Sequence, residues 1–323
     1  MSKIEVDAIE PQSGTTLTIG ASGDSVTLGS GATIKLDGNY PTGTDNVALG
    51  DQALSSGSLS GASNTAVGSL SLLSNTTGAE NTALGYQALA ANVSSNGNVA
   101  VGYNSQYQAT GARNTSIGSA SFPAALTGED NTGVGIAAGI SLTSGSNNLL
   151  LGHDAGRSGS PGGTITTQNN IIVLGDENIT NAHIQVAFTV ASDERDKTDF
   201  NNLDLGLDFV TKLNPVTYKW DKRIKYVAEK DRETIDLNTI EHNGTHKEDW
   251  LDIGFKAQEV EALEKASGYD KDTNTNLLVT LTEDGKQYGL QYEKFVPILV
   301  NAIKELKTEN DNLKSRIEVL ENS

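Results

Sequence analysis

The chain has 323 residues, a formal charge of −18 and no cysteine. Those numbers leave room for two domains and exclude a disulfide framework and any cysteine-based metal site. An acidic surface also disfavours nucleic acid and anionic membranes as partners, and no apolar run reaches the length of a membrane-spanning helix.

The composition is split. Of 34 glycines, 28 fall in residues 1–191, whereas 19 of the 23 Lys and Arg fall in residues 192–323. The first part is rich in Gly, Ser, Thr, Asn and Ala. The second has the charged, mixed composition of an ordinary globular domain. A boundary near residue 191 follows. The opening MSKIEVDAIEPQSG lacks the basic segment and apolar run of a signal peptide.

Residues 1–44 contain TLTIG (Thr16–Gly20), VTLG (Val26–Gly29) and ATIKLDG (Ala32–Gly38). They read as short strands divided by Gly/Ser turns, forming an N-terminal β cap or attachment segment.

Residues 45–152 carry a repeat. It begins with NVALG at Asn46–Gly50, NTAVG at Asn64–Gly68, NTALG at Asn81–Gly85 and NVAVG at Asn98–Gly102. NTSIG at Asn114–Gly118, NTGVG at Asn131–Gly135 and NLLLG at Asn148–Gly152 continue it, and NIIVLG at Asn170–Gly175 is a looser copy. The closing glycines are spaced 18, 17, 17, 16, 17, 17 and then 23 residues apart. A fixed period marks a repeated structural unit. Each unit predicts one strand of three to five residues, with Gly and Asn at its turns.

Each unit offers little apolar surface. The reading that follows is a mainly β, trimeric shaft of the β-prism or β-solenoid kind, in which three chains bury their thin ridges against one another. A single-chain solenoid and low-complexity disorder are the alternatives. Residues 153–191 form the terminal strands and linker: a Gly/Pro-rich loop, then strands at IIVLG and HIQVAFTV (His183–Val190).

Residues 192–295 predict an α+β domain. A helix is expected over Leu203–Leu213, capped by Asn201 or Asn202, and a strand is expected within LNPVTYKW (Leu213–Trp220). A strand at Asp252–Phe255 leads into a helix over Ala257–Ala266, and Leu277–Leu281 pairs with Gln287–Leu290 about a turn at Glu283–Gly285. Residues 296–322 carry a 3-4 repeat at Val296, Leu299, Ile303, Leu306, Asn310, Leu313, Ile317 and Leu320. This is an a/d seam, and Asn310 is a polar a-position that fixes register. A trimeric coiled coil is the expected use. A helix packed on its own domain is the alternative.

The ordered set SDERDK (Ser192–Lys197), LNPVTYKW, GFKAQEVE (Gly254–Glu261) and YGLQYEKFVPILVNAIKEL (Tyr288–Leu306) resembles the intramolecular chaperone auto-processing domain. That domain ends phage endosialidases, tail fibres and neck appendages and occurs in the myelin regulatory factor. Lys256 stands where that family's motif has an apolar residue. The resemblance implies a homotrimer whose C-terminal domain helps three chains fold in register and then self-cleaves before its first serine. It places the cut between Ala191 and Ser192. Ser192 would be the nucleophile and Lys197 the general base of a single-turnover serine autopeptidase, with Arg195 favouring the neutral lysine and either Asp193 or Asp196 opposing it. By spacing alone the same residues read as a solvated turn. His242, Asn243 and His246 are candidates for polarising or oxyanion roles, against the reading of an exposed loop.

The resemblance further implies a virion tail fibre or appendage protein made in the host cytoplasm. Its partners would be two further copies, other tail or baseplate proteins, and a host receptor or glycan. No residue pattern points to a cofactor, a metal or a second enzymatic activity. A non-viral adhesin or stalk, and an uncleaved fibre that keeps its chaperone, are the alternatives.

Overall fold

The structure, a computed structural model, describes residues 44–232 and 234–322. The strands expected before residue 44 lie outside that range.

Each repeat contributes one three-residue strand. These are β1 (Val47–Leu49), β2 (Thr65–Val67), β3 (Thr82–Leu84), β4 (Val99–Val101), β5 (Thr115–Ile117), β6 (Thr132–Val134), β7 (Leu149–Leu151) and β8 (Ile172–Leu174). They form one parallel sheet in chain order, every strand in register with the next. The result is a parallel β-solenoid built from one chain.

The middle residue of each strand points inward and its neighbours point out, as the two-residue period of a strand requires. Ala66, Ala83, Ala100, Ser116 and Leu150 are all fully buried there. Facing them is a second column at Leu54, Leu72, Leu89, Gln106 and Phe122, also fully buried. Each of these takes a positive φ of about 50°, a left-handed conformation uncommon for such side chains, and so turns the chain while filling the core. Size is balanced across the coil. A Cβ on Gly133 would meet Phe122 Cζ at 2.7 Å, so the ring occupies the space that glycine leaves.

The motif asparagines form a buried ladder. Asn64 N donates to Asn46 Oδ1 (2.8 Å), Asn81 N to Asn64 Oδ1 (3.1 Å) and Asn98 N to Asn81 Oδ1 (3.0 Å). The series runs on through Asn114, Asn131 and Asn148. It ends where Ile171 N donates to Asn148 Oδ1 (3.0 Å). Ile171, not Asn170, therefore holds the motif position in the last copy. The closing glycines stack as a column: Gly102 has φ +131°, and a Cβ there would lie 2.6 Å from the carbonyl oxygen of Gly118. Only glycine fits such a position.

This corrects the expectation that the ridges need three chains for burial. One chain encloses them, because buried amides and left-handed leucines supply the interior that a count of apolar strand residues misses. His183–Val190 is a second correction. Residues 178–202 are exposed throughout and contain no strand.

The C-terminal domain follows the predicted order, with tighter boundaries. It comprises α1 (Leu207–Lys212), β9 (Val216–Tyr218), β10 (Asp252–Gly254), α2 (Ala257–Ala266), β11 (Val279–Leu281), β12 (Tyr288–Leu290) and α3 (Phe295–Glu321). β9 pairs antiparallel with β10, and β11 with β12. Leu205, Phe209, Val260, Leu278, Val279, Phe295 and Ile298 form its core. Helix α1 starts later than expected because α3 holds the preceding segment. Asn301 Nδ2 donates to the carbonyls of Leu203 (3.2 Å) and Leu205 (2.9 Å), and Glu305 accepts from Leu207 N (2.6 Å). Glu305, rather than Asn201 or Asn202, meets the free N–H of the first turn.

Replacing Asn114 with Ala removes the acceptor of Asn131 N (2.9 Å) and the donor to the Gly128 carbonyl (2.9 Å). Leaving such buried groups unpaired costs about 2–3 kcal/mol. The urea midpoint of Asn114→Ala is expected to fall accordingly, and an unchanged midpoint would contradict a structural ladder.

Candidate functional site

The sequence SDERDK folds as one turn of 3-10 helix over Glu194–Asp196. Asp193 caps it by accepting from Arg195 N (2.9 Å) and also pairs with the Arg195 guanidinium (2.6 Å). That guanidinium holds the Asp193 carboxyl below the usual carboxylate range, and Asp193 in turn raises the Arg195 pKa. Asp193 and Arg195 thus neutralise each other and are engaged locally.

The turn brings residues five apart together. Lys197 Nζ lies 2.6 Å from Ser192 Oγ and 3.5 Å from the Ser192 carbonyl oxygen. Distance alone suits proton exchange between an amine and a hydroxyl. Every residue from Ala191 to Lys197 is exposed, and the scissile bond expected between Ala191 and Ser192 lies in the exposed segment 178–202.

His242, Asn243 and His246 are arranged around a different centre. Tyr226 Oη donates to Asp221 (2.9 Å) and accepts from the backbone N–H of Asn243 (3.3 Å), Gly244 (3.0 Å) and His246 (3.3 Å). His242 Nδ1 lies 3.1 Å from Asp221 Oδ2, and the His246 ring stands edge-on to Tyr226 at 4.6 Å. Burial pushes the Asp221 carboxyl up, but hydrogen bonds from Tyr226, His242 and Gly244 outweigh it, and the net pKa is lowered. These contacts give the loop a structural anchor. They run to Asp221 and Tyr226, not to Ser192 or Lys197.

Buried carboxylates escaped the sequence reading, among them Glu264 and Glu177. Glu264 on α2 accepts from the backbone N–H of Leu277 (2.8 Å), Leu278 (2.6 Å) and Val279 (3.1 Å), tying that helix to β11. Glu177, just past β8, is bound by Arg232 (2.5 Å). A glutamate inside an apolar-periodic helix, and one in a Gly/Asn-rich loop, give no signal of burial. Lys256 is exposed and pairs with Glu259 (2.7 Å), so its departure from the motif touches no core contact.

The positions expected to form a coiled-coil seam fall on one face of α3. Val296, Leu299, Ile303, Leu306, Leu313, Ile317 and Leu320 are all exposed, between 43% and 74%, and Asn310 is exposed among them. The helix packs on its own domain through Phe295, Ile298 and Ala302 instead. Among the described residues no helix is long and apolar enough to cross a membrane.

No curated protein and no solved structure matches the chain. Residues 192–269, about a quarter of the sequence, match the family model described as Chaperone of endosialidase, so the C-terminal domain is similar to that intramolecular chaperone and the match begins at Ser192.

Proposed function

We propose that this chain is one of three in a fibre or appendage of a virion tail, and that its C-terminal domain aligns the three chains and then cuts each one between Ala191 and Ser192. The observation that carries the assembly reading is the apolar seam of α3, left open while an adjacent face of its first turns, at Phe295, Ile298 and Ala302, packs on its own domain. A helix that exposes a heptad seam over its whole length is suited to a coiled coil with further copies.

Two more surfaces support it. The third strand residues, Leu49, Val67, Leu84, Val101, Ile117, Val134, Leu151 and Leu174, form an unbroken outward aliphatic ladder. Contiguous apolar surface of this kind marks an interaction face. Ile184, Val186, Phe188 and Val190 alternate along the linker and are exposed. Partner chains give that strand-like pattern something to pair with.

The turn at Ser192 supports the cut. In this reading Lys197, as free amine, takes the Ser192 Oγ proton while Oγ attacks the Ala191 carbonyl carbon. The C–N bond then breaks, the proton passes to the Ser192 nitrogen, and an ester links Ala191 to Oγ. Water hydrolyses that ester and restores the hydroxyl. Proximity supplies much of the rate. A lysine acts as base only when neutral, and burial favours the neutral form. Lys197 is exposed in one chain, so closure of neighbouring chains over the turn is what makes it competent. Cleavage thereby waits for assembly. The shaft would carry attachment to a host receptor or glycan, and its other end would join tail or baseplate proteins.

On a denaturing gel the parent protein is expected to give two bands and Ser192→Ala one; identical patterns would remove the cleavage reading. In the Ser192→Ala background, sedimentation should give three times the 33.9 kDa chain mass. Replacing Ile303 and Leu306 with Glu should lower it to one chain mass, because both side chains are exposed in the single chain and their loss leaves its core intact. An unchanged mass would contradict assembly through the seam.

A further inference from the structure

The repeat keeps its period to within one residue from coil to coil and breaks it by six in the last. Gly139 and Leu142 in one coil correspond to Gly156 and Ile165 in the next, so the added residues lie between 156 and 165. That enlarged loop is where the C-terminal domain rests. Arg157 donates to the Glu229 carbonyl (3.1 Å) and pairs with its carboxylate (3.4 Å). Gly159 lies against Ile224, with no room for a Cβ. Asp284 accepts from Thr164 N (3.3 Å). Beside the loop, Glu177 is held by Arg232 at 2.5 Å, with side chains only 2% and 18% exposed, and Lys222 Nζ donates to the Glu177 carbonyl.

We infer that this loop is a built seat on which the C-terminal domain stays as a non-covalent cap of the solenoid after the chain is cut. Solenoids need their end coils covered, and here the cover comes from residues 222–232 and 284. The contacts run from residues 157–164 and 177 of the shaft to that patch. None of them involves the exposed linker, whose side-chain hydrogen bonds between residues 180 and 201 are all local. Cutting between Ala191 and Ser192 therefore severs the chain without removing any of these contacts. Severing and release are separate events, and the seat sets how long the cap remains. Glu177 and Arg232 are the contact whose loss matters most, since removing one partner leaves the other charge buried and unpaired for as long as the cap is seated.

The consequence for release rests on the proposed self-cleavage; the seat does not, and the test keeps them apart. A recognition sequence for a site-specific protease is placed within residues 180–190 of the full-length Ser192→Ala protein, which is then cut and run on native size-exclusion chromatography. The two pieces are expected to co-elute at micromolar concentration. Glu177→Gln on the shaft side and Arg232→Met on the domain side should each raise the dissociation constant by about tenfold or more, with the melting temperatures of the separated pieces unchanged. Separation of the parent pieces, or retention in both variants equal to the parent, overturns the seat. Failure of the parent sequence to cut itself bears only on the cleavage reading.

Discussion

At the head of each strand from β1 to β7 an asparagine amide accepts the backbone N–H of the next coil, and this column of bonds runs from Asn46 to Ile171. Beside it the closing glycines stack with no room for side chains. Both columns demand that equivalent residues lie at equivalent heights. Coil size, strand register and the inward direction of each middle residue follow from that demand. A buried amide that finds its partner in the next coil is satisfied only when the next coil is present and aligned.

The same regularity creates a folding problem. Neighbouring coils are so alike that pairing one coil out of step loses little. Departures from the period help to break the degeneracy. At the start of the short coil that runs from Asn98 to Arg113, Asn98 Nδ2 is buried without a partner, unlike the amides of Asn81 and Asn114 on either side. The long coil after Gly152 carries the loop that receives the C-terminal domain. In the proposed trimer, a folding helper fixed at that end would give the stack a defined starting point, and the seam of α3 would give three stacks a common one.

Much of this was legible in the sequence. Spacing alone located the eight strands, because Asn and Gly at fixed intervals mark turns whatever lies between. The order of elements in the C-terminal domain was also readable, as was the seam. The solenoid interior was not. Leu54, Leu72 and Leu89 sit at left-handed corners in stretches that look like loops, and Asn64 and Asn81 are polar yet fully buried. Neither resembles a core by hydrophobic pattern. The strand expected at His183–Val190 has the right alternation, but pattern cannot supply a pairing partner, and within one chain there is none for it among the described residues. At the candidate site, Ser192 and Lys197 were found together because the motif is local. His242, Asn243 and His246 were grouped with them by residue type, whereas the chain folds them around Tyr226.

The ladder lies inside each chain, and the seam and the outer aliphatic stripe are the surfaces proposed for partners. Amide hydrogen exchange of the Ser192→Ala protein, followed across a dilution series that takes the assembly apart, tests this directly. The backbone amides of Asn64, Asn81, Asn114, Asn131 and Asn148 should stay protected while α3 loses protection along its seam. Loss of ladder protection in step with dissociation would show that the interior is shared between chains and would contradict the account.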